Sequence, residues 1–231
     1  MLISWIIPAF NEADIIGKTI AETIKMAGNN PIEIIVSDDG SSDETVDISQ
    51  KFESVRIIRN QHKGRGGAIL NALRQVNGDI IVLSSADIVL EKDYFEKLLE
   101  KMKNADLLLL SKGLRESRIV GRTMLRAFLS NNFNSISTRL FGLQFKDTQG
   151  VKFLKKKLVE PILTCCSDEG FLLDLEIVIM AKRNGFSIEE VPWVLVDRAN
   201  SRMLINLHKF ILGLIRIWLR DRDGYYNSNL R

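Results

Sequence analysis

Cysteine is nearly absent: the 231 residues contain two, Cys165 and Cys166, side by side. Neighbouring cysteines rarely bridge, and the pair matches no zinc spacing, so neither a disulfide framework nor a structural zinc centre is expected. They read as reduced thiols of a cytoplasmic protein. An excess of one charge is lacking too. Thirty-two basic residues against 29 acidic ones leave +3, too little to argue for nucleic acid as a partner, although the basic residues are denser in the second half. There is no run of eighteen uncharged apolar residues, so nothing predicts a bilayer-spanning helix. Residues 1–8 are too few for a secretion signal and carry no basic n-region, and they read as a first strand. Neither an internal repeat nor a low-complexity linker divides the chain.

What is there is a chain of ordinary apolar content, long enough for one α/β domain with a small appendage. Its organising stretch is Ile34-Ile35-Val36-Ser37-Asp38-Asp39-Gly40-Ser41-Ser42-Asp43-Glu44-Thr45. The β-branched run predicts a buried parallel strand. It ends in two carboxylates and a glycine, and Ser41, Ser42 or Asp43 then caps a helix. Capping gives the pair Asp38 and Asp39 no structural task, and ligands of open α/β sheets bind at this end of the strands.

The first half alternates strand and helix four times. Strands are expected at 2–7 (stopped by Pro8), 34–37, 55–59 and 79–83, and helices at 13–26, 44–52 and after the turn Gln61-His62-Lys63-Gly64-Arg65-Gly66-Gly67-Ala68. That alternation predicts a mostly parallel sheet covered on both faces. The glycine turn puts backbone N–H groups, Lys63 and Arg65 at a helix start, which suits a phosphate, though plain loop chemistry explains it equally well. Asp38, Asp39 and Asp87 stand at strand ends, where carboxylates serve a ribose, a base edge or a divalent cation bridging two phosphates. A nucleotide diphosphate satisfies all three features.

Pro8-Ala9-Phe10-Asn11-Glu12, then Asp38 to Thr45, then the glycine turn, together resemble a family 2 glycosyltransferase of the GT-A fold. The resemblance implies that the first two motifs, with Ser37 and Gly67 beside them, hold the nucleotide. It also implies that an Asp-x-Asp holds Mg²⁺ or Mn²⁺ and the donor diphosphate. Here that stretch is Ser85-Ala86-Asp87, with serine in place of the first aspartate, so a weakened metal site on Asp87 is expected.

Further on, a helix at 91–103 and a strand at 107–111 lead to Lys112-Gly113-Leu114-Arg115. Residues 122–142 have helical character, and Arg126 and Ser130, four apart, share a face. The block Phe145 to Phe153 contains Asp147, which reads either as a sugar contact or as a turn aspartate. A helix near 174–184 precedes a strand at 188–198, where Pro192 marks an edge or a bulge. The Asp147 block, Glu190-Val191-Pro192 and Val196-Asp197-Arg198 resemble the dolichyl-phosphate hexose synthases within the family. That likeness implies that Arg115, Arg126 and Ser130 hold a lipid phosphate, and that Arg198 joins Asp87 at the donor pyrophosphate. Gln149 and Val151 depart from the family pattern.

In residues 203–220, Asn206, Lys209, Gly213, Arg216 and Arg220 form a narrow polar stripe on an otherwise apolar helix. Such a helix lies in a membrane interface, with the basic stripe among lipid phosphates, or packs on the sheet with that stripe outward. The expected organisation is a GT-A-type Rossmann-like domain over 1–202 and an amphipathic membrane-surface helix and tail over 203–231. The expected activity is inverting transfer of mannose or glucose from GDP-mannose or UDP-glucose to dolichyl or another polyprenyl phosphate. The protein would act peripherally at the cytosolic face of a membrane, held reversibly or through an anchoring subunit. The rival readings are a non-catalytic nucleotide-sugar-binding subunit with a degraded metal motif, and a family 2 enzyme with a glycan acceptor.

Overall fold

Strands rich in Ile, Val and Leu on both faces belong in the middle of a sheet, where helices cover both sides. The computed structural model describes residues 1–120, 134–196 and 207–227. It opens with β1 (Ile3–Ala9), α1 (Ile16–Ala27), β2 (Ile32–Asp38), α2 (Thr45–Gln50), β3 (Val55–Arg59), α3 (Arg65–Leu73), β4 (Ile80–Leu83), α4 (Lys92–Lys101) and β5 (Leu107–Ser111). Then follow β6 (Arg118–Val120), α5 (helical over 134–141), β7 (Lys152–Lys155), a 3₁₀ turn (Lys156–Leu158), α6 (Val159–Cys165), α7 (Leu173–Arg183), β8 (Ile188–Pro192), β9 (Val194–Val196) and α8 (Leu207–Arg222). The main sheet has the order β3-β2-β1-β4-β7-β5-β8, and β6 pairs with β9 apart from it. All main-sheet pairings are parallel except those of β7, which runs antiparallel between β4 and β5.

Alternation along the strands sorts the core into two layers. Trp5, Ile7, Val36, Val82, Leu108 and Phe153 face one side, where α1 and α4 cover them. Trp5 meets Phe95 and Phe153 edge-on, with centroids 5.9 and 6.0 Å away. Truncating an aromatic so enclosed costs about 3–5 kcal/mol. Ile6, Ile35, Ile81, Leu107 and Leu154 face the other side, under α3, α6, α7 and α8.

Three elements differ from expectation. β1 does not stop at Pro8 but continues to Ala9, paired with β2 throughout. The Ile6 carbonyl accepts from Ser84 N, so alternate residues face β4, and Pro8 lies past the last of those bonds, where its missing donor breaks nothing. β7 carried no clear sequence signal: four residues bounded by lysines. The strand expected at 188–198 divides at Trp193, whose N–H donates to Ser111 O at 2.9 Å; β8 is the sheet edge that Pro192 suggested.

α8 corrects the expected orientation of its polar stripe. Leu214, Ile217 and the nearby Tyr226 join the core layer under the sheet, and a Cβ on Gly213 would overlap Leu172 Cδ1, so a larger residue there would make the leucine side chain shift. Arg216 pairs with Asp168 at 2.6 Å, and Arg220 reaches Glu176 at 3.5 Å. The arginines therefore turn toward the protein, because buried carboxylates there require partners. Ile211, Leu212, Ile215 and Leu219 are left exposed. No helix among the described residues is long and apolar enough to cross a membrane.

Asp106, just before β5, binds Lys157 at 2.8 Å and Lys155 at 3.3 Å, and accepts from Ser187 N. Burial disfavours its charge, but Lys157, the Ser187 N–H and Lys155 outweigh burial and hold its pKa at about 2, against an ordinary 3.8. A depressed carboxyl stabilises the fold above pH 3.8, and that gain disappears as pH falls through about 2. Asp106→Asn should lower unfolding free energy by about 1–2 kcal/mol at pH 7. In denaturant titrations run at several pH values the gap to wild type should close toward pH 2; a gap independent of pH would remove this role.

Candidate active site

The carboxyl ends of β1, β2, β4 and β5 lie along one edge of the sheet, and the loops that leave them form the site. Two loops are laced together. Asn11 N donates to Ser41 Oγ (2.9 Å), and Ser42 N to Asn11 Oδ1 (2.8 Å). Glu12 N donates to Thr45 Oγ1 (2.8 Å), and Ala13 N to Asp43 Oδ2 (3.1 Å). Asn11 has φ +55°, a left-handed conformation that asparagine tolerates better than most residues. Slight burial pushes the Asp43 carboxyl up, but hydrogen bonds from Thr45 and Ala13 prevail and hold it below its ordinary value. The Pro-Ala-Phe-Asn-Glu stretch and the Asp-Asp-Gly-Ser-Ser-Asp-Glu-Thr stretch are thus one lip, which is why they occur together.

Asp38 and Asp39 do have structural tasks, contrary to the expectation from sequence. Asp38 accepts from Gly40 N and Ser41 N, each at 3.2 Å. Asp39 accepts from Lys63 N and Gly64 N, each at 2.9 Å. A buried carboxylate left without such donors would be costly, so the pair fixes the loops on either side. Ser37 turns away from the cleft and donates to Ala68 O at 2.7 Å. Ala86 is buried, and its carbonyl accepts from Thr19 Oγ1.

His62 was not singled out from sequence. Its Nδ1 sits 2.9 Å from Asp39 Oδ2, and its ring stacks on Phe10 with centroids 4.4 Å apart. Phe10 is 43% exposed, so the pair presents a flat face at the lip on which a planar heterocycle can stack. Its only sequence signal was a place in the glycine turn.

The glycine turn is not an open phosphate cradle. Lys63 N and Gly64 N go to Asp39, and Gly67 N donates to Glu169 O at 3.0 Å. Lys63 Nζ pairs with Glu169 at 3.1 Å, and Arg65 pairs with Asp174. Gly64 has φ +110°, and a Cβ there would come within 2.6 Å of Glu169 O. On Gly66 a Cβ would overlap the carbonyls of Asp168 and Gly170. The glycines admit the backbone of residues 168–170.

After β4, Ser85 Oγ donates to Asp87 Oδ1 at 2.5 Å. A Mg²⁺ or Mn²⁺ ion is commonly held by one or two carboxylates together with substrate phosphates and water. Asp87, half-buried at the strand end, fits as the one acidic ligand of such a set, with Oδ2 outside the Ser85 bond. No cluster of three metal-binding side chains exists among the described residues. Nearby, Ser84 Oγ, Thr148 Oγ1 and Gln149 Nε2 are buried without hydrogen-bond partners among the described residues.

Beyond β5, a cleft of about 530 Å³ is lined by Lys112, Gly113, Asn134, Ser135, Thr138 and Lys146, with Leu143, Gln144 and Phe145. Asp147 behaves as a turn aspartate, accepting from Gln149 N (2.9 Å), Lys112 N (3.1 Å) and Asn134 Nδ2 (3.3 Å). Lys112 Nζ lies over the Trp193 ring, 4.5 Å from its centroid. Arg115 is exposed on the turn after β5. Arg126, Ser130 and Arg198 lie outside the described residues, as do the start of the expected 122–142 helix and residues 203–206 of the tail.

One buried ionic group was missed entirely. Asp174, at the start of α7, pairs with Arg65 and with Lys152, whose Nζ is 2.6 Å away. Lys152 is fully buried and also donates to the carbonyls of Thr148 (2.9 Å) and Gly150 (3.0 Å). Burial lowers its pKa, and Asp174 counteracts that. Asp174 is far from these partners in sequence, and no local pattern links them.

A mostly parallel sheet with a laced acidic lip, an aspartate after β4 and cations nearby defines a GT-A-type fold. The family model described as glycosyl transferase family 2 matches residues 4–162, more than half the sequence. The chain belongs to glycosyltransferase family 2. It is 27% identical to a dolichyl-phosphate β-glucosyltransferase of Saccharomyces cerevisiae, over 99% of this chain and 78% of that protein. A dolichyl-phosphate β-glucosyltransferase of Trichomonas vaginalis is 28% identical over 96% of this chain and 72% of its own length. The glycosyltransferase AglD of Haloferax volcanii is 27% identical over 94% of this chain, which spans only 37% of that protein. Among solved structures, a mycobacterial protein superposes with a TM-score of 0.73 at 21% identity, covering 96% of this chain and 75% of that one. Glucosyl-3-phosphoglycerate synthase from Mycobacterium tuberculosis, crystallised with Mn²⁺, UDP and phosphoglyceric acid, gives 0.69 at 20% identity, covering 96% and 78%. These two structures share the fold.

Asp39→Ala should orphan two backbone donors and destabilise the protein by about 2–4 kcal/mol. Denaturant unfolding measures this, and a change below about 0.5 kcal/mol, as for an ordinary surface site, would show that the carboxylate is not holding the turn.

Proposed function

We propose that this family 2 enzyme transfers glucose, with inversion, from UDP-glucose to dolichyl or another polyprenyl phosphate. The observation that carries the reading is the similarity, over nearly the whole chain, to two dolichyl-phosphate β-glucosyltransferases. Those relatives favour glucose over mannose as the sugar transferred. The site's chemistry agrees. Asp38, Asp39, Asp43 and Asp147 accept backbone N–H bonds that hold loops, and the reading assigns none of them as a general base. A phosphate monoester needs none: its second pKa is about 6, and at neutral pH it is already an ionised nucleophile.

In this reading the lip carrying Phe10, Asn11, Asp38 and Asp39 receives the nucleoside. Arg115, Arg126 and Ser130 hold the acceptor phosphate by charge-assisted hydrogen bonds and aim it at the sugar. Asp87 holds the divalent ion, and Arg198 lies against the donor pyrophosphate. When bound, the ion stabilises negative charge on the leaving diphosphate. Ser85 in place of an acid weakens that hold without removing it. Purified protein given labelled UDP-glucose, polyprenyl phosphate and Mn²⁺ should yield a lipid-extractable product, and Ser85→Asp should lower the Mn²⁺ concentration needed. No lipid product under any metal condition would overturn the reading; full activity in excess chelator would remove the ion and leave the acceptor assignment standing.

The acceptor's chain stays in lipid, each buried CH₂ contributing about 0.8 kcal/mol, so the cleft must reach the membrane surface. We place α8 there, at the cytosolic face, as the membrane-facing element beside the 1–202 domain. Its exposed Ile211, Leu212, Ile215 and Leu219 lie along one side of the helix, where they can enter the interface while Arg216 and Arg220 stay on the protein. Ile211 and Ile215 are each 48% exposed, so charging them spares the core. Ile211→Asp with Ile215→Asp should leave the melting temperature nearly unchanged and move the protein off liposomes. Transfer to a long-chain acceptor should slow far more than transfer to a short, water-soluble one. Undiminished sedimentation with liposomes would end the membrane assignment.

A further inference from the structure

A fully buried lysine in a strand asks for an explanation, because replacing a buried ion pair with apolar side chains is often neutral or stabilising. Lys152 stands at the first position of β7, beside the carboxyl ends of β4 and β5. Its three N–H donors are matched by three acceptors: Thr148 O, Gly150 O and Asp174 Oδ1. The other oxygen of Asp174 takes Arg65 NH1, and Arg65 NH2 reaches the Ser84 carbonyl at 3.4 Å. One carboxylate thus directs two cations onto three backbone carbonyls. Two belong to residues just after Asp147, and the third immediately precedes Ser85-Ala86-Asp87.

We propose that Asp174 is a positioning residue that sets the Asp87 loop and the Asp147 loop relative to each other, and through the first of them the metal side of the site. This rests on the proposed nucleotide-sugar transfer, but not on the identity of the acceptor. The two loops come from different strand ends, β4 and the approach to β7, and Asp174 comes from a third element, α7. Apolar packing would fill the same volume without directing these carbonyls; ionic hydrogen bonds fix direction as well as distance. The nucleoside lip has its own bonds, through Asn11, Asp38, Asp39 and Asp43, and adjoins the Asp174 group along the backbone from Gly64 to Arg65. The roles are therefore separable: loosening Asp174 disturbs the ion site more than the nucleoside lip.

Asp174→Asn keeps the side chain's size and withdraws one of its two acceptor ends. Mn²⁺ affinity in the presence of UDP, read by electron paramagnetic resonance, should weaken about 10-fold, the scale on which supporting residues act on metal sites. Turnover should fall about 10- to 100-fold. Metal-free UDP affinity, by calorimetry, should stay within about twofold of wild type. A second variant, Asp174→Asn with Lys152→Met, separates positioning from simple neutralisation: it removes one anion and one cation, leaving the net charge of the group as it was. If Asp174 merely balances Lys152, this double variant recovers Mn²⁺ affinity and the proposal is overturned. If Asp174 positions the loops, the double variant remains as impaired as the single one. Unchanged Mn²⁺ affinity in Asp174→Asn also overturns it, as does loss of metal-free UDP binding in step with turnover. Wild type that binds UDP and Mn²⁺ but glucosylates no polyprenyl phosphate would end the acceptor assignment alone, and the metal readout would still decide the role of Asp174.

Discussion

A carboxylate taken out of water has to be met by donors, and at this sheet's carboxyl edge those donors are mostly backbone N–H groups. Asp38 ties down Gly40 and Ser41, and Asp39 ties down Lys63 and Gly64. Asp147 takes Lys112 and Gln149, and Glu176 takes Ser167 and Asp168. Each acidic group closes a loop that would otherwise have unpaired amides and freedom to move. The site is built less from groups waiting for substrate than from groups that hold the loops substrate would touch.

Much of the fold was legible because it depends on local pattern. The runs at 34–37, 55–59 and 107–111 are apolar and bounded by turn residues, and strands lie there. Alternation with amphipathic helices implied a parallel sheet, and the two motifs of the lip announced each other. What failed was long-range. β7 is short, and its first lysine is inside only because Asp174, on another helix, neutralises it. The four-residue strand therefore reads as polar until its partner is known.

The glycine turn shows a different limit. A glycine needed so that backbone can approach a phosphate looks the same in sequence as one needed so that backbone can approach another strand of the chain. Here the approaching segment is 168–170, about a hundred residues away. Asp38 and Asp39 failed for a related reason. Their acceptors are filled from the turn that follows and from a turn two dozen residues on, and only the second of these contacts is invisible to local reading.

α8 carries the same argument to the surface. A helical wheel fixes the angle between the basic stripe and the apolar arc, but not which of them faces the domain. The domain decides it. Glu176 is fully buried and Asp168 nearly so, and both lie under the helix. Arg216 and Arg220 satisfy them, and the Tyr226 hydroxyl donates to Glu176 at 2.6 Å and is itself held far toward its protonated form, first by burial and then by that carboxylate. Once the arginines are committed inward, Leu214 and Ile217 beside them are buried with them, and Ile211, Leu212, Ile215 and Leu219 have nowhere to go but out. Each of these side chains would gain on the order of 1–2 kcal/mol if its exposed surface left water. The demand of two buried carboxylates thus leaves one side of α8 apolar and outward, which is the geometry an interfacial helix requires.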